Sequence, residues 1–446
     1  MYKTLSNLYG QIRGYNRWRI WREAVSNAML SPELIKDLTF ALFQRRVRDA
    51  IRRFPHYAER VKAFRGSLPA PGAAVEPREL PIWTKDDQRS LISDLREPPI
   101  PGSFVHRTGG STGVPIQFYM TRESYEWRMA VSDRGYSWAG AEAGRRSFYV
   151  WSVPVAAQSI SSRLKAGLLN KLQQRRMYNN FLFGEERKRL CCEEVNRFKP
   201  EVIVGYGGRL AELARFVEQH PETLSWKARV VLSAAEGLRL GDRELLERWL
   251  GREVFMSYGS REFMLIGMEC QHRCGYHISS DSLMVEIVDK SGNAIPRGET
   301  GRILVTDLRN DANPFIRYEI GDLGAMGPDQ CVCGLPFPLL DRVEGRLQEV
   351  LYTTTGDTLT GIFVPHLLKE FKWIKGFQVV QERLDLIRIR LISDVPPAKP
   401  DLEPITRKFH EVLGSGMVIV YDSVAELETS ANGKTPPIIV RMRVDR

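Results

Sequence analysis

Between Phe148 and Leu250 short apolar runs alternate with stretches of helical spacing, and no other feature of the sequence narrows the fold as far. Phe148 to Val153, Val202 to Tyr206 and Val230 to Ser233 read as strands, whereas Arg209 to Glu218 and Arg243 to Leu250 carry apolar residues at intervals of three and four. Strands and helices in alternation predict a parallel sheet with helices on its faces. From Leu283 the pattern changes. Leu283 to Val288, the turn Asp289 to Asn293 and Gly301 to Asp307 predict an antiparallel hairpin, in a sheet distinct from the parallel one.

Both ends of the chain differ from this middle. Leu5, Leu8, Ile12, Tyr15, Trp18, Trp21 and Val25 form a helical stripe accompanied by Lys3, Arg13, Arg17, Arg19 and Arg22, and a second helix is predicted over about 32 to 54. Such a basic stripe either packs on its own protein or lies on an anionic membrane surface. Pro, Gly and Ala mark a loop at 66 to 82. After Gly345-Arg346 comes a helix at 362 to 373, strands at Phe377 to Gln381 and Leu386 to Leu391, a Pro-rich loop and a helix at about 401 to 412. The expected division is a helical segment at 1–66 belonging to a large domain that continues over 67–346, then a small α+β domain at 347–446.

Composition sets limits on partners. Lys and Arg number 64 against 54 Asp and Glu, a net charge of +10, which favours acidic partners such as nucleotides, coenzyme A, nucleic acid or an anionic membrane. Hydrophobic residues make 43% and charged residues 26%, which excludes a disordered chain. No uncharged apolar run approaches the roughly 18 residues of a spanning helix. Six cysteines are too few for a disulfide scaffold, and the first residues lack the apolar core of a secretion signal, so a cytoplasmic location is expected. The basic residues are spread and no finger helix follows the cysteines, which argues against nucleic acid.

Phe104 to Tyr119 contains Arg107-Thr-Gly-Gly-Ser-Thr-Gly-Val-Pro115. Glycines let backbone N–H groups converge on phosphate oxygens, and Ser and Thr hydroxyls add donors. It is not a Walker loop, because Val114-Pro115 stands where Lys-Ser/Thr would, and its flanks read as two strands instead of strand then helix. Alone, such a segment is either a hairpin turn or a phosphate cradle.

The loop resembles the Ser/Thr/Gly-rich phosphate loop of the adenylate-forming superfamily, and further stretches fall in that family's order. Ala234-Ala235-Glu236-Gly237 is similar to its adenine-pocket segment, Tyr258-Gly259-Ser260-Arg261-Glu262 to its aromatic-Gly-x-Thr-Glu segment, Arg317 to Asp322 to its Tyr-x-Thr-Gly-Asp segment, Glu344 to Gln348 to its hinge, and Ala431-Asn-Gly-Lys434 to its C-terminal Gly-Lys. The matches cover roughly 105 to 435. Within the superfamily the sequence most resembles the phenylacetate-CoA ligase branch, including relatives from polysaccharide biosynthesis. The resemblance implies an α/β fold with a large N-terminal domain of mixed sheets flanked by helices and a small mobile C-terminal domain.

It also implies an acid–thiol ligase. A carboxylate attacks the α-phosphate of ATP, pyrophosphate leaves, and the acyl-adenylate is passed to coenzyme A. Thr108, Gly109, Gly110, Ser111, Thr112 and Gly113 would cradle phosphates. Glu262 would hold Mg²⁺, which prefers carboxylate and phosphate oxygens. Tyr258 would stack on adenine, with Glu236, Gly259, Ser260 and Arg261 completing the nucleotide pocket. Asp322 would accept the ribose hydroxyls, Arg346 would contact ribose or phosphate, and Lys434 would bring positive charge to the α-phosphate. Arg261 departs from the family's usual Thr or Ser, and Gln348 from the frequent hinge Asp, which opens the possibility of altered chemistry or of a pseudoenzyme. The alternative activity is an adenylyltransferase that leaves AMP on its acceptor, or an adenylating enzyme of polysaccharide biosynthesis without a thiol step. Trp151, Tyr206 and Tyr258 could wall an aromatic acid pocket or serve as core.

Cys270-x3-Cys274-x2-His277 and Cys331-x-Cys333 supply five ligands in two tight groups, where tetrahedral Zn²⁺ needs four. The first group follows the Glu262 segment and the second follows Asp322, so the expectation is a structural zinc beside the nucleotide site. The resemblance favours Cys270, His277, Cys331 and Cys333, with Cys274 as alternate.

Overall fold

The computed structural model describes residues 17–108, 116–151, 167–180, 183–234, 237–238, 241–344, 350–355, 357–360, 363–368, 370–371, 373–428 and 436–442. Helix α1 (Arg17–Asn27) begins them, followed by α2 (Pro32–Arg53), α3 (Pro55–Arg65) and α4 (Lys85–Asp94). Local chemistry explains α2: the Ser31 side chain accepts from the Leu34 N–H at 3.3 Å, Pro32 opens the first turn, Glu33 sits at the positive end and Arg52 and Arg53 at the negative end. The described part of the basic stripe packs on its own protein. Ile20 and Ala24 are buried against Trp127 and Val131 of α5 (Arg122–Trp138), and Arg134 reaches across to the Ala24 carbonyl at 2.6 Å. The same guanidinium makes a paired hydrogen bond to buried Asp281, at 2.7 and 2.8 Å, where Asn27 also donates.

Strands β1 (Phe104–Arg107) and β2 (Gln117–Met120) form an antiparallel hairpin around the glycine-rich loop. Strands β3 (Ser147–Trp151), β4 (Arg175–Asn179), β5 (Val202–Tyr206), β6 (Ala228–Ala234) and the first half of β7 (Gly251–Ser260) are mutually parallel, as the alternation predicts. Helices α6 (Glu185–Phe198), α7 (Gly207–Gln219) and α8 (Asp242–Trp249) contribute to the core on one face, where Cys191, Leu213 and Leu246 meet Phe148, Ile203 and Val231. The other face, with Val204 and Leu232, packs on α1 and α5.

The expectation of two distinct sheets is wrong. β8 (Met264–Glu269), β9 (Tyr276–Ile278), β10 (Leu283–Val288), β11 (Gly301–Asp307), β12 (Tyr318–Met326) and β13 (Leu339–Glu344) continue the parallel strands in a single sheet of order β10-β11-β12-β13-β9-β8-β7-β6-β5-β3-β4. The reason is β7. Its early residues pair parallel with β6, its late residues pair antiparallel with β8, and a bulge between Tyr258 and Gly259 re-aims the strand. Gly259 is required there, because a Cβ at this position would stand 1.9 Å from the Met264 carbonyl oxygen.

The C-terminal elements are β14 (Val350–Tyr352), β15 (Thr358–Thr360), α9 (Phe363–Leu368), β16 (Gly376–Arg383), β17 (Leu386–Ile392), α10 (Lys399–Leu413), β18 (Val418–Ser423) and β19 (Ile438–Val440). β16 and β17 pair antiparallel, with β19 and β18 added parallel on either side. Leu351, Phe363, Phe377, Ile389, Phe409 and Ile438 share a core of their own. The helix expected over 362 to 373 is shorter than predicted.

Candidate functional site

Glu262 lies in the turn between β7 and β8, is nearly buried, and accepts at Oε1 from the Tyr318 hydroxyl at 3.2 Å. At the bulge of β7 the Tyr258 hydroxyl donates to Asp322 Oδ2 at 3.1 Å. Ser260 Oγ accepts from the Phe263 N–H at 3.3 Å and closes the turn. Two hydrogen bonds therefore join the Tyr258–Glu262 and Arg317–Asp322 segments, which lie about sixty residues apart in sequence. Carboxylates at 262 and 322 each keep a tyrosine on one oxygen, and a carboxylate has further lone pairs for a ribose hydroxyl or a hard cation.

The glycine-loop hairpin reaches the same place through rings. Phe118 of β2 packs on Phe315 at 5.4 Å, Phe315 on Tyr318 at 4.7 Å, and Phe263 on both. Thr108 is buried at the neck of the loop. Its N–H donates to the Ile116 carbonyl at 2.9 Å, and its hydroxyl accepts from the Ile116 N–H at 3.0 Å. His106, one strand position earlier on the same face, stacks on Phe118 at 5.7 Å. Burial lowers its pKa, and the charges of Arg128 and Arg261 lower it further, so the imidazole is neutral near pH 7. Arg261 is thus exposed at the turn and close enough to act on the strand that feeds the loop. Gly109 to Gly113, Glu236, Arg346, Gln348 and Lys434 lie outside the described residues.

Sequence reasoning assigned no role to Arg317 or Tyr318 as individuals. Arg317 adopts φ +51°, the left-handed region that costs a side chain roughly 1–2 kcal/mol. Its guanidinium is fully buried, with Nε on Glu286 at 3.2 Å, Nη1 on the Leu80 carbonyl at 2.8 Å and Nη2 on the Gly292 carbonyl at 2.6 Å. Its own N–H donates to Thr306 Oγ1 at 2.9 Å, and its carbonyl accepts from Trp83 at 3.1 Å. This knot fixes the backbone from which Tyr318 reaches Glu262. The Arg in Arg317-Tyr318 was visible in the sequence, but its partners at 80, 286 and 292 were not.

Trp151 and Tyr206 stack at 4.2 Å and 20° at the carboxyl ends of β3 and β5. The Tyr258 ring instead faces Tyr276 at 6.3 Å.

Cys270, His277, Cys331 and Cys333 converge, with their ligand atoms all within 4.8 Å of one another. Cys270 Sγ stands 3.8 Å from Cys331 Sγ, and Cys333 Sγ stands 3.3 Å from His277 Nε2. His277 Nδ1 lies 3.2 Å from the Phe337 carbonyl, and burial lowers the imidazole pKa; a proton on Nδ1 leaves the Nε2 lone pair facing the thiols. Cys274 stands apart, exposed, with its thiol on the His272 carbonyl at 3.3 Å. His277 of the cluster follows Tyr276, whose ring faces Tyr258 of the nucleotide segment. β8 starts at the Glu262 turn and carries the chain away from it, so Cys270 follows about 20 Å along the strand.

Known proteins resemble this chain in two ways. Residues 351–441 match the family model of the CapK C-terminal domain. The chain is 28% identical over 256 residues to phenylacetate-coenzyme A ligase of Thermus thermophilus, covering 55% of each protein. It is 24% identical over 248 residues to Protein CapK of Staphylococcus aureus, covering 55% of this chain and 53% of that one. The chain spans about half the length of these curated relatives. Among solved structures, 2-hydroxyisobutyryl-CoA ligase in complex with 2-HIB-AMP and CoA superposes with a TM-score of 0.59 at 17% identity, over 93% of this chain and 91% of that one. The fold is that of the adenylate-forming enzymes. Within that superfamily, the sequence relatives lie on the phenylacetate-CoA ligase-like branch, CapK included.

Proposed function

We propose that the chain is an AMP-forming acid–thiol ligase. A carboxylate oxygen attacks the α-phosphorus of ATP, the bond to the β-phosphate oxygen breaks, and pyrophosphate departs. The sulfur of coenzyme A then attacks the acyl carbon, AMP leaves, and the thiol proton passes to solvent. The observation that carries this reading is the pair of hydrogen bonds Tyr258–Asp322 and Tyr318–Glu262, which hold two carboxylates of the resemblance in one place.

In this reading Asp322 accepts the ribose hydroxyls, with Tyr258 holding its second oxygen and presenting a ring toward adenine. Gly259 and Ser260 shape the turn, and Thr108 anchors the loop Gly109–Gly113 over the phosphates. Glu236 and Arg346 join the nucleotide pocket. Glu262 fits a magnesium ligand, since Tyr318 restrains a nearly buried carboxylate at the turn. Bound there, the ion would neutralise phosphate charge. Arg261 puts a cation where relatives place a hydroxyl, and Lys434 supplies charge at the α-phosphate. The small C-terminal domain would carry Lys434, turning about Gln348 between the two half-reactions.

A structural zinc on Cys270, His277, Cys331 and Cys333 belongs to the same reading. Zinc–sulfur bonds of about 2.3 Å at tetrahedral angles require sulfurs about 3.8 Å apart, and the Cys270–Cys331 separation is 3.8 Å. Four protein ligands leave no open position for catalysis. A reducing, cytoplasmic compartment suits free thiols and CoA chemistry, and among the described residues no helix is long and apolar enough to cross a membrane.

The test is isotope exchange between pyrophosphate and ATP across a panel of carboxylic acids, aryl acetates first. Exchange that needs the acid, with AMP released only on adding CoA, supports the ligase. AMP found covalently on the product supports the adenylyltransferase. Absence of ATP binding by calorimetry refutes both.

A further inference from the structure

Strand β9 is only three residues long, yet it sits inside the large sheet between β8 and β13. Tyr276 and His277 stand opposite Glu269 and Met268 on one side and Leu340 and Leu339 on the other. Successive side chains of a strand point to opposite faces. His277 turns toward Trp138 of α5 and into the cluster with Cys270, Cys331 and Cys333. Cys270 directly follows β8, and Cys331 and Cys333 precede β13, so a metal on these four ligands clamps all three strands from one face. Tyr276 points the other way. Its ring meets the Tyr258 ring at 6.3 Å and 58°, across the intervening β8. Gly267 makes the contact possible: it stands opposite Tyr258 in β8, and a Cβ there would lie 2.8 Å from the Tyr276 Cβ, so no side chain separates the two tyrosines. The Tyr276 hydroxyl donates to Met256 Sδ at 3.8 Å, which sets the far end of the ring.

We propose that Tyr276 is a positioning residue for the nucleotide, and that the metal clamp on the opposite face of β9 sets nucleotide affinity through it. The proposal rests on the ligase reading, in which Tyr258 presents its ring to adenine. Tyr276 acts through Tyr258, which is braced at its hydroxyl by Asp322 and at its ring by Tyr276. With the four ligands loaded, β9 is tied to both neighbours and the Tyr276 ring has one place. Without the metal, a three-residue strand has only its pairing to hold it, and Tyr258 gains freedom that adenine must remove on binding. Losing an edge-on contact between two aromatic rings corresponds to about a two- to tenfold change in affinity.

The experiment measures AMP binding to the full chain by calorimetry, without magnesium, on zinc-loaded and chelator-stripped protein at a temperature where circular dichroism shows both folded. Stripping should weaken AMP binding about two- to tenfold, and zinc returned to the protein should restore it. In the loaded state Tyr276→Phe, which keeps the ring, should bind AMP like the unaltered chain. Tyr276→Leu should weaken binding by about the same factor as stripping while still holding zinc, and stripping this variant should weaken AMP no further. Comparing Phe with Leu needs only loaded protein, so it decides the matter even if stripping unfolds the chain. Equal affinity of loaded and stripped protein overturns the proposal, as does unaltered affinity in Tyr276→Leu or a zinc effect that persists in it. Those results leave the ligase reading standing, whereas loaded protein that binds neither AMP nor ATP refutes both.

Discussion

Replacing Arg317 by Met removes a buried charge whose partners are two buried carbonyls and the half-buried Glu286, and the structure sets the size of the effect. Glu286 loses its counter-ion, and the carbonyls of Leu80 and Gly292 lose donors at 2.8 and 2.6 Å. Breaking a buried pair from one side costs about 3–5 kcal/mol, and each of the two stranded carbonyls about 1–3 kcal/mol, so a loss of at least about 5 kcal/mol is expected, against the 5–15 kcal/mol of a typical domain. The loss has a sign with pH. Burial already raises the Glu286 pKa, with Arg317 opposing it; without Arg317 it rises further. A carboxyl whose folded pKa exceeds its unfolded value takes up a proton on folding, so the variant is most stable below about pH 4.3 and weakens as pH rises through the folded pKa. Urea unfolding of both proteins by tryptophan fluorescence should show a smaller deficit at pH 5 than at pH 8. Glu286→Gln in the Arg317→Met background should recover part of it, whereas acid-dependent pyrophosphate exchange should stay low, because Tyr318 no longer holds Glu262 at a fixed place. A deficit under about 1 kcal/mol, or one equal at both pH values, would refute the argument.

The remaining predictions concern other parts of the site. Gly259→Ala should abolish ATP binding in calorimetry and lower the melting temperature, since a methyl group 1.9 Å from the Met264 carbonyl oxygen forces the β7–β8 turn apart; normal binding would mean that the turn yields cheaply. Protein purified without added metal should contain one zinc per chain by elemental analysis. Stripping it should lower the melting temperature by about 5 °C or more, with Cys333→Ser reproducing the drop and Cys274→Ser leaving zinc content unchanged. His106 has a folded pKa below its unfolded value, so the unfolded chain binds the extra proton and stability falls as pH drops below about 6.5. His106→Gln should flatten the melting temperature between pH 5 and 7, and an unchanged slope would show that another group governs it.

What could be read from the sequence follows the range of the forces involved. Val202 to Tyr206 forms the predicted strand residue for residue, and the Leu283 and Gly301 strands pair as foreseen, because apolar runs and turn residues act over a few positions. The gathering of cysteines with His277 was foreseen too, since short spacings confine each pair. Cys270 is only eight positions after Glu262, yet an extended strand turns that short separation in sequence into a long one in space.

The range of local forces also explains why one sheet looked like two. The change of pattern at Leu283 reports which faces of a strand are buried, not which neighbours it pairs with. Continuity was decided earlier, in β7, whose ten residues are long enough to pair with β6 at one end and β8 at the other. A bulge requiring a glycine separates the two halves. The resemblance marks Gly259 as part of a nucleotide segment, while the packing gives it a structural role, letting the Met264 carbonyl approach so that the turn can close with Glu262 inside it. Arg317 does the complementary work immediately before β12, holding a left-handed backbone with partners from three other segments. The two acidic residues that the resemblance assigns to ribose and magnesium are therefore set in place by a glycine and an arginine whose contacts with the rest of the chain no local pattern encodes.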